Sequence, residues 1–303
     1  MDWRGLAGCG VVAAALGMGT VAAQAVTFTS DARLTLDEFA RAHGENPARL
    51  EARYAATGMI RCNGVYSTGQ LTLRDDIVTT AAHAFYDPAG RPRGDLSACT
   101  FMVEVGGLRR TVPLDASTLV VGTTDPYPLP PSLDWAVVRL AQPIAGVHPY
   151  TIANGGSDGE GVALLAHRHR GWVHDGRRAI EDCRIRSEAA KPVGLAPREI
   201  DIDCSAGDGA SGSAILEQGA DTRMVGIYVG WRSSHPETTG PYGPDHVNFG
   251  IAVEGHFRDA VLAAVQAEDR ARQPVPVAAA KPTVVNAAAS AGTATATVAA
   301  VAR

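Results

Sequence analysis

What constrains this chain most is its succession of short apolar segments, each closed by turn residues, from Gly58 to Val253. Residues 59–66, 69–73, 77–81, 99–105, 110–114, 117–121 and 135–140 make one set. Residues 160–166, 180–186, 199–203, 214–216, 223–229 and 247–253 make a second, with 143–149 as the connector. Runs this short at this spacing read as an all-β barrel or sandwich. The 33 glycines and 18 prolines among 303 residues favour turns and strands over helices. Residues 125–131, DPYPLPP, read as an extended surface loop.

Three segments depart from this pattern. Residues 34–54 read as two short helical pieces broken at Gly44 and Pro47, either a pro-segment or an arm packed on the domain. Residues 254–269 form a helical pattern with Phe257, Val261, Leu262 and Val265 expected on one face. After Gln273 the chain is Ala, Val, Thr and Pro with almost no charge, so 271–303 is expected to be a disordered tail.

The first 25 residues predict export. Arg4 begins a short positive start, 10–21 are small and apolar, and Ala23-Gln24-Ala25 has the form of a cleavage site. The apolar core is too short to span a membrane, so stable insertion after its removal is not expected. Leu6-Ala7-Gly8-Cys9 precedes the apolar core and is not read as a lipid acceptor. The expected location is secreted or periplasmic. A net charge of −5 gives no electrostatic case for nucleic acid or an anionic membrane surface. Four cysteines remain after the signal, Cys62, Cys99, Cys183 and Cys204. They allow three pairings, of which neighbours in sequence are preferred. No C-x-x-C spacing supports a zinc site, and no metal is expected.

The chemistry concentrates at three places. Gly207-Asp208-Gly209-Ala210-Ser211-Gly212-Ser213 sets a serine among small residues just before an apolar strand, where a hydroxyl can stand exposed beside free backbone N–H groups. Thr79-Thr80-Ala81-Ala82-His83 puts a histidine where a strand gives way to a loop. Asp134-Trp135-Ala136-Val137-Val138 places one carboxylate at the mouth of an apolar strand, suited to orienting an imidazole. Asp75, Asp76, Asp87 and Asp95 compete with Asp134, and Ser205 and Ser213 with Ser211, but none has the same setting. Each motif alone also suits a structural role; the order His83, Asp134, Ser211 is what joins them.

Taken together, TAAH, DWAVVRL and GDGASGSAIL resemble the secreted bacterial trypsin-like serine proteases of the chymotrypsin fold, nearest to their V8-like, glutamyl endopeptidase-like branch. The resemblance covers roughly 58–270 and implies two antiparallel β-barrels, 58–145 and 150–253, closed by the C-terminal helix. It implies a serine endopeptidase with no cofactor, acting as a monomer on a peptide or protein. Ser211 would be nucleophile, His83 base and then acid, and Asp134 the group that fixes the imidazole. Gly209 and Ser211 would supply the oxyanion-hole N–H groups.

Several positions depart from the family pattern. Ala210 stands where chymotrypsin-like enzymes carry an aspartate, which implies activity without a newly freed α-amino terminus. Ala214 replaces a usual proline, and Ala84 a cysteine of the animal enzymes. Tyr228, Val229 and Gly230 resemble one wall of the specificity pocket and Gly250 the other, with Ser205 near its floor. Tyr228 replaces the histidine of glutamate-specific relatives, so a neutral or apolar side chain is expected before the scissile bond. The basic patch His167, Arg168, His169, Arg170, His174, Arg177 and Arg178 reads as a solvated loop, with a metal or anion site as the alternative. A catalytically idle module binding peptide or cell-envelope material is the competing function.

Overall fold

The computed structural model describes residues 27–272, apart from 30, 129–130, 154, 187–194, 220 and 236–237. The expected signal peptide and the tail beyond 272 lie outside the described residues. In chain order the elements are β1 (Leu34–Thr35), α1 (Leu36–Ala42), α2 (Pro47–Arg53), β2 (Thr57–Cys62), β3 (Val65–Leu71), β4 (Ile77–Thr80), β5 (Thr100–Val105), β6 (Leu108–Val121) and β7 (Ala136–Leu140). There follow β8 (Thr151–Ile152), β9 (Gly161–Ala166), β10 (Ala179–Arg184), β11 (Glu199–Ile202), β12 (Ala214–Glu217), β13 (Arg223–Ser233), β14 (His246–Ala252) and α3 (Gly255–Arg272).

Strands β2-β3-β4-β7-β6-β5 close on themselves as an antiparallel barrel. The remaining strands form a second sheet in the order β1-β10-β9-β12-β13-β14-β11, with β8 beside β13. That sheet curls until Ile185, just past β10, bridges Ile202 at the end of β11, so it too returns on itself. The all-β, two-barrel architecture is therefore present. The apolar runs 110–114 and 117–121 are one strand rather than two. Between Asp115 and Val120 the register of β6 shifts, and Ser117 and Thr118 bond back to Asp115, which bends the strand around the barrel without ending it. Strands β1 and β8, at two residues each, are too short to show as a periodic pattern.

The N-terminal segment packs onto this frame. Thr35 and Glu38 form a reciprocal capping box at the start of α1, and Asn46 caps α2 with Pro47 in its first turn. Leu36, Phe39 and Leu50 are buried in the main core, each contributing roughly 1.5–3 kcal/mol of transfer free energy. At the other end, α3 stacks Phe257 on Trp135 at 5.2 Å and buries Val261. Leu262, expected on the same face, is instead exposed, because it lies one residue (about 100°) around the helix from Val261. Cys62–Cys99 and Cys183–Cys204 are both bonded, each within one barrel. Among the described residues no helix is long and apolar enough to cross a membrane.

Candidate active site

Pairing of β4 with β7 places Thr80 opposite Ala136. The strands are antiparallel, so the end of β4 and the start of β7 meet at one rim of the first barrel. His83, in the single turn after β4, and Asp134, just before β7, are brought together there. Asp134 is 4% exposed and its two oxygens are both used on the histidine: Oδ1 accepts the His83 backbone N–H at 2.9 Å and Oδ2 pairs with Nδ1 at 2.6 Å. One carboxylate thus fixes both the backbone and the ring, and directs Nε2 away from itself.

Ser211 comes from the second barrel, on the loop that enters β12. That loop is tied to β3 of the first barrel by its carbonyls. Thr68 N and Ser67 Oγ donate to Ser211 O at 2.8 and 2.6 Å, and Thr68 Oγ1 donates to Gly209 O at 2.8 Å. With the carbonyls held backwards, the N–H groups of Gly209 and Ser211 have no acceptor among the described residues. Gly209 holds φ at +93°, a conformation that glycine adopts without penalty.

Both parts border one cleft of about 530 Å3 between the barrels. His83, Asp134, Gly209, Ser211, Tyr228, Val229 and Gly230, all expected from the sequence, line it. Among the described residues Ser211 Oγ and His83 Nε2 share the cleft without a hydrogen bond between them. Tyr228 is fully buried; burial drives its phenol well above the ordinary tyrosine value, and its hydroxyl donates to Asn248 Oδ1. It is neutral at any physiological pH.

Two expected specificity positions lie behind the wall instead of on it. Ser205 is fully buried, its Oγ accepting the Phe28 N–H and its own N–H donating to Glu181. Gly250 sits opposite Tyr228 in the β13–β14 register, and a side chain there would collide with Ile215 and the Ile227 carbonyl. Phe249, beside Gly250 on the expected opposite wall, lines the cleft, whereas sequence reasoning missed Tyr66, Asp208, Trp231 and Arg232 as lining residues. Sequence reasoning also missed Tyr127, whose ring lies 5.9 Å from His83 and whose hydroxyl is held by Arg93. The proline-rich composition around Tyr127 signalled a loop but not its position over the histidine. Arg232 ion-pairs with Glu199 and Asp201 and lies over the Phe249 ring.

The basic patch is a solvated loop only in part: Arg170 and Arg177 are exposed, but its first two histidines and Arg178 are not. His167 and His169 are buried, and burial drives their imidazoles down to about 4 and about 3, so both are neutral. His169 packs against Gly207, and Arg170 N donates to Asp208 O, so the patch backs the serine loop. Among the described residues no group of three His, Cys, Asp or Glu side chains is placed to hold a metal.

Glu181, beneath Ser205, is a buried carboxyl that burial pushes up to about 8, with Asp31 adding to the rise and Arg33 opposing it. The folded chain therefore holds a proton that the unfolded chain releases near pH 4.5. This stabilisation is complete below pH 4.5 and is lost as pH rises through about 8, by on the order of a few kcal/mol. Chemical denaturation from pH 5 to 9 is expected to show a flatter stability profile in Glu181→Gln than in the parent; parallel profiles would contradict this.

No family model matches the chain, and no curated protein sequence does. Solved structures do. One, of Glu endopeptidase in complex with MPD, superposes with a TM-score of 0.59 at 16% identity, covering 79% of this chain and 99% of that one. Another, of an inactive mutant of Rv3671c from M. tuberculosis H37Rv, gives 0.44 at 17% identity, covering 76% and 93%, and is too loose a match to argue from. The first establishes a shared fold, the two-barrel fold of trypsin-like serine proteases.

Proposed function

We propose that this chain, built on the trypsin-like fold, is an exported serine endopeptidase that cleaves peptides through an acyl-enzyme. The observation that carries the reading is the doubly bonded His83–Asp134 pair facing Ser211 across one cleft. In this reading His83 Nε2 takes the Ser211 proton as Oγ attacks the scissile carbonyl, and Asp134 stabilises the imidazolium that forms. The carbonyl oxygen, becoming an anion, takes the N–H groups of Gly209 and Ser211. His83 then gives its proton to the leaving amine, and water repeats the sequence to release the acid. The missing Ser–His hydrogen bond is compatible with this, since such contacts often tighten only with substrate bound. Two disulfides suit an oxidising compartment outside the cytoplasm.

A neutral Tyr228 in the wall supports cleavage after a neutral or apolar side chain; a peptide library cut only after Glu, or only after Arg and Lys, would overturn that preference. With alanine at 210, activity is proposed to need no freed α-amino group. Asp134→Asn is expected to lower kcat about 10⁴-fold at neutral pH, because the asparagine amide leaves the imidazole in the wrong tautomer. A loss under tenfold would remove Asp134 from the mechanism.

The idle binding module is the second reading, favoured by the lack of a hydrogen bond between Ser211 and His83. A fluorophosphonate probe separates the two. Labelling of the folded parent that disappears in Ser211→Ala supports the enzyme, and no labelling of folded parent supports the module.

A further inference from the structure

A second cavity, of about 800 Å3, shares no lining residue with the cleft and has no part in the proposed reaction. It lies between α2, the β5–β6 hairpin and the loop 167–178, and its volume is in the range of small-molecule sites. Leu36, Ala55 and Val105 give it apolar walls, and Arg178 stands among them.

Arg178 is what makes the cavity more than a packing gap. It is only 9% exposed. A guanidinium carries five N–H donors. Arg178 uses one on the Tyr54 carbonyl at 2.8 Å and one on Glu51, leaving the other donors without a partner among the described residues. Glu51 compensates the charge poorly, because its side chain is 42% exposed and solvated. Burial accordingly holds Arg178 down at about 10, below the arginine range. The donors it does not use are not sealed from solvent, so a largely buried cation at the wall of an open volume can take an anion there. Glu51 and Glu104 on the same lining disfavour a dianion such as phosphate. A monoanion with an apolar body meets both conditions.

We propose that this cavity binds a small amphipathic carboxylate, with its head on Arg178 and its apolar part against Leu36, Ala55 and Val105. Two sources share that chemistry: the C-terminal carboxylate of a short apolar peptide, and a free alkyl carboxylate. The first would be a product of the reaction proposed above and rests on that reading; the site itself does not.

Calorimetry on the Ser211→Ala chain tests the proposal without any dependence on catalysis. The probes are acetyl-Ala-Ala-Val with a free carboxylate, the same peptide as its amide, and hexanoate. Binding of at least one free carboxylate is expected, with the amide at least tenfold weaker than the acid, and the tighter carboxylate identifies the source. Arg178→Met should abolish binding, but it also removes the tie to Tyr54. Ala52→Trp, at an exposed position of α2 on the cavity lining, fills the volume and leaves Arg178 in place. It should weaken binding at least tenfold. No heat with either carboxylate, equal binding of acid and amide, or binding indifferent to Ala52→Trp would each overturn the site. Those failures would leave the labelling of Ser211 untouched, so the two readings stand or fall separately.

Discussion

Ser211→Ala is expected to reduce peptide hydrolysis by on the order of 10⁴–10⁶-fold in kcat while KM changes only a few-fold. The separation follows from where Ser211 is held. Its backbone carbonyl, not its hydroxyl, carries the bonds from Thr68 and Ser67 that dock the loop. Removing Oγ therefore leaves the loop, the cleft and the proposed oxyanion donors in place and deletes only the proposed nucleophile. Residual turnover would come from those donors and from binding. Initial rates on a fluorogenic peptide, with circular dichroism to show an unchanged fold, make the check. A variant retaining more than a tenth of parent activity would exclude Ser211 as the nucleophile.

Gly212→Ala is expected to produce the largest loss of stability of any single methyl added to this loop. Gly212 holds φ at +84°, and a Cβ there would fall well inside contact with Thr68 O and Thr80 Oγ1 of the first barrel. Neither obstacle can yield cheaply. Thr80 Oγ1 donates to Thr68 O at 2.7 Å, and the Gly212 N–H donates to Tyr228 O at 2.7 Å. Strain of φ plus a clash with two fixed oxygens points to about 3 kcal/mol or more. For a chain of this size that lowers Tm by roughly 6–12 °C. Thermal unfolding is the measurement, and a shift under 2 °C would mean that the two barrels separate locally at little cost. Gly209→Ala makes the contrast: its nearest neighbours stand at 3.5 Å, so it carries the φ penalty without the collision.

Those expectations depend on residues whose legibility in the sequence differed greatly. The strands were readable because most are buried on both faces, which makes each a short apolar run bounded by turn residues, a local property. Three residues of the proposed site were readable because each stands at a strand terminus, and strand termini are visible as the edge of an apolar run. The pairing of β4 with β7 that unites His83 with Asp134 is not local, and only the motif order hinted at it. The buried part of the basic patch misled because charge and histidine normally signal solvent. His169 is buried by Gly207 and by the N-terminal arm, partners far off in sequence that no window around it contains. Ser205 misled for the same reason, its hydroxyl being taken by Phe28, 177 residues away. Arg178 and Tyr127 were seen as a charge and an aromatic in loops; their functional interest arises from what surrounds them.

The arm that reaches Ser205 also has a consequence in time. Strand β1 pairs Leu34 with Ile180, so the first strand among the described residues belongs to the second barrel, while α1 and α2 lead on into the first. During synthesis the first barrel can close as soon as β7 emerges, but β1 must wait for β10, and Phe28 for Ser205. Long-range closures of this kind slow folding because the loop entropy is lost before the contacts form. The arm, made before either barrel, is thus among the last segments to be fixed in place. A nascent chain halted before β10 would expose the apolar face of this arm, and that is where a chaperone or a protease would find it.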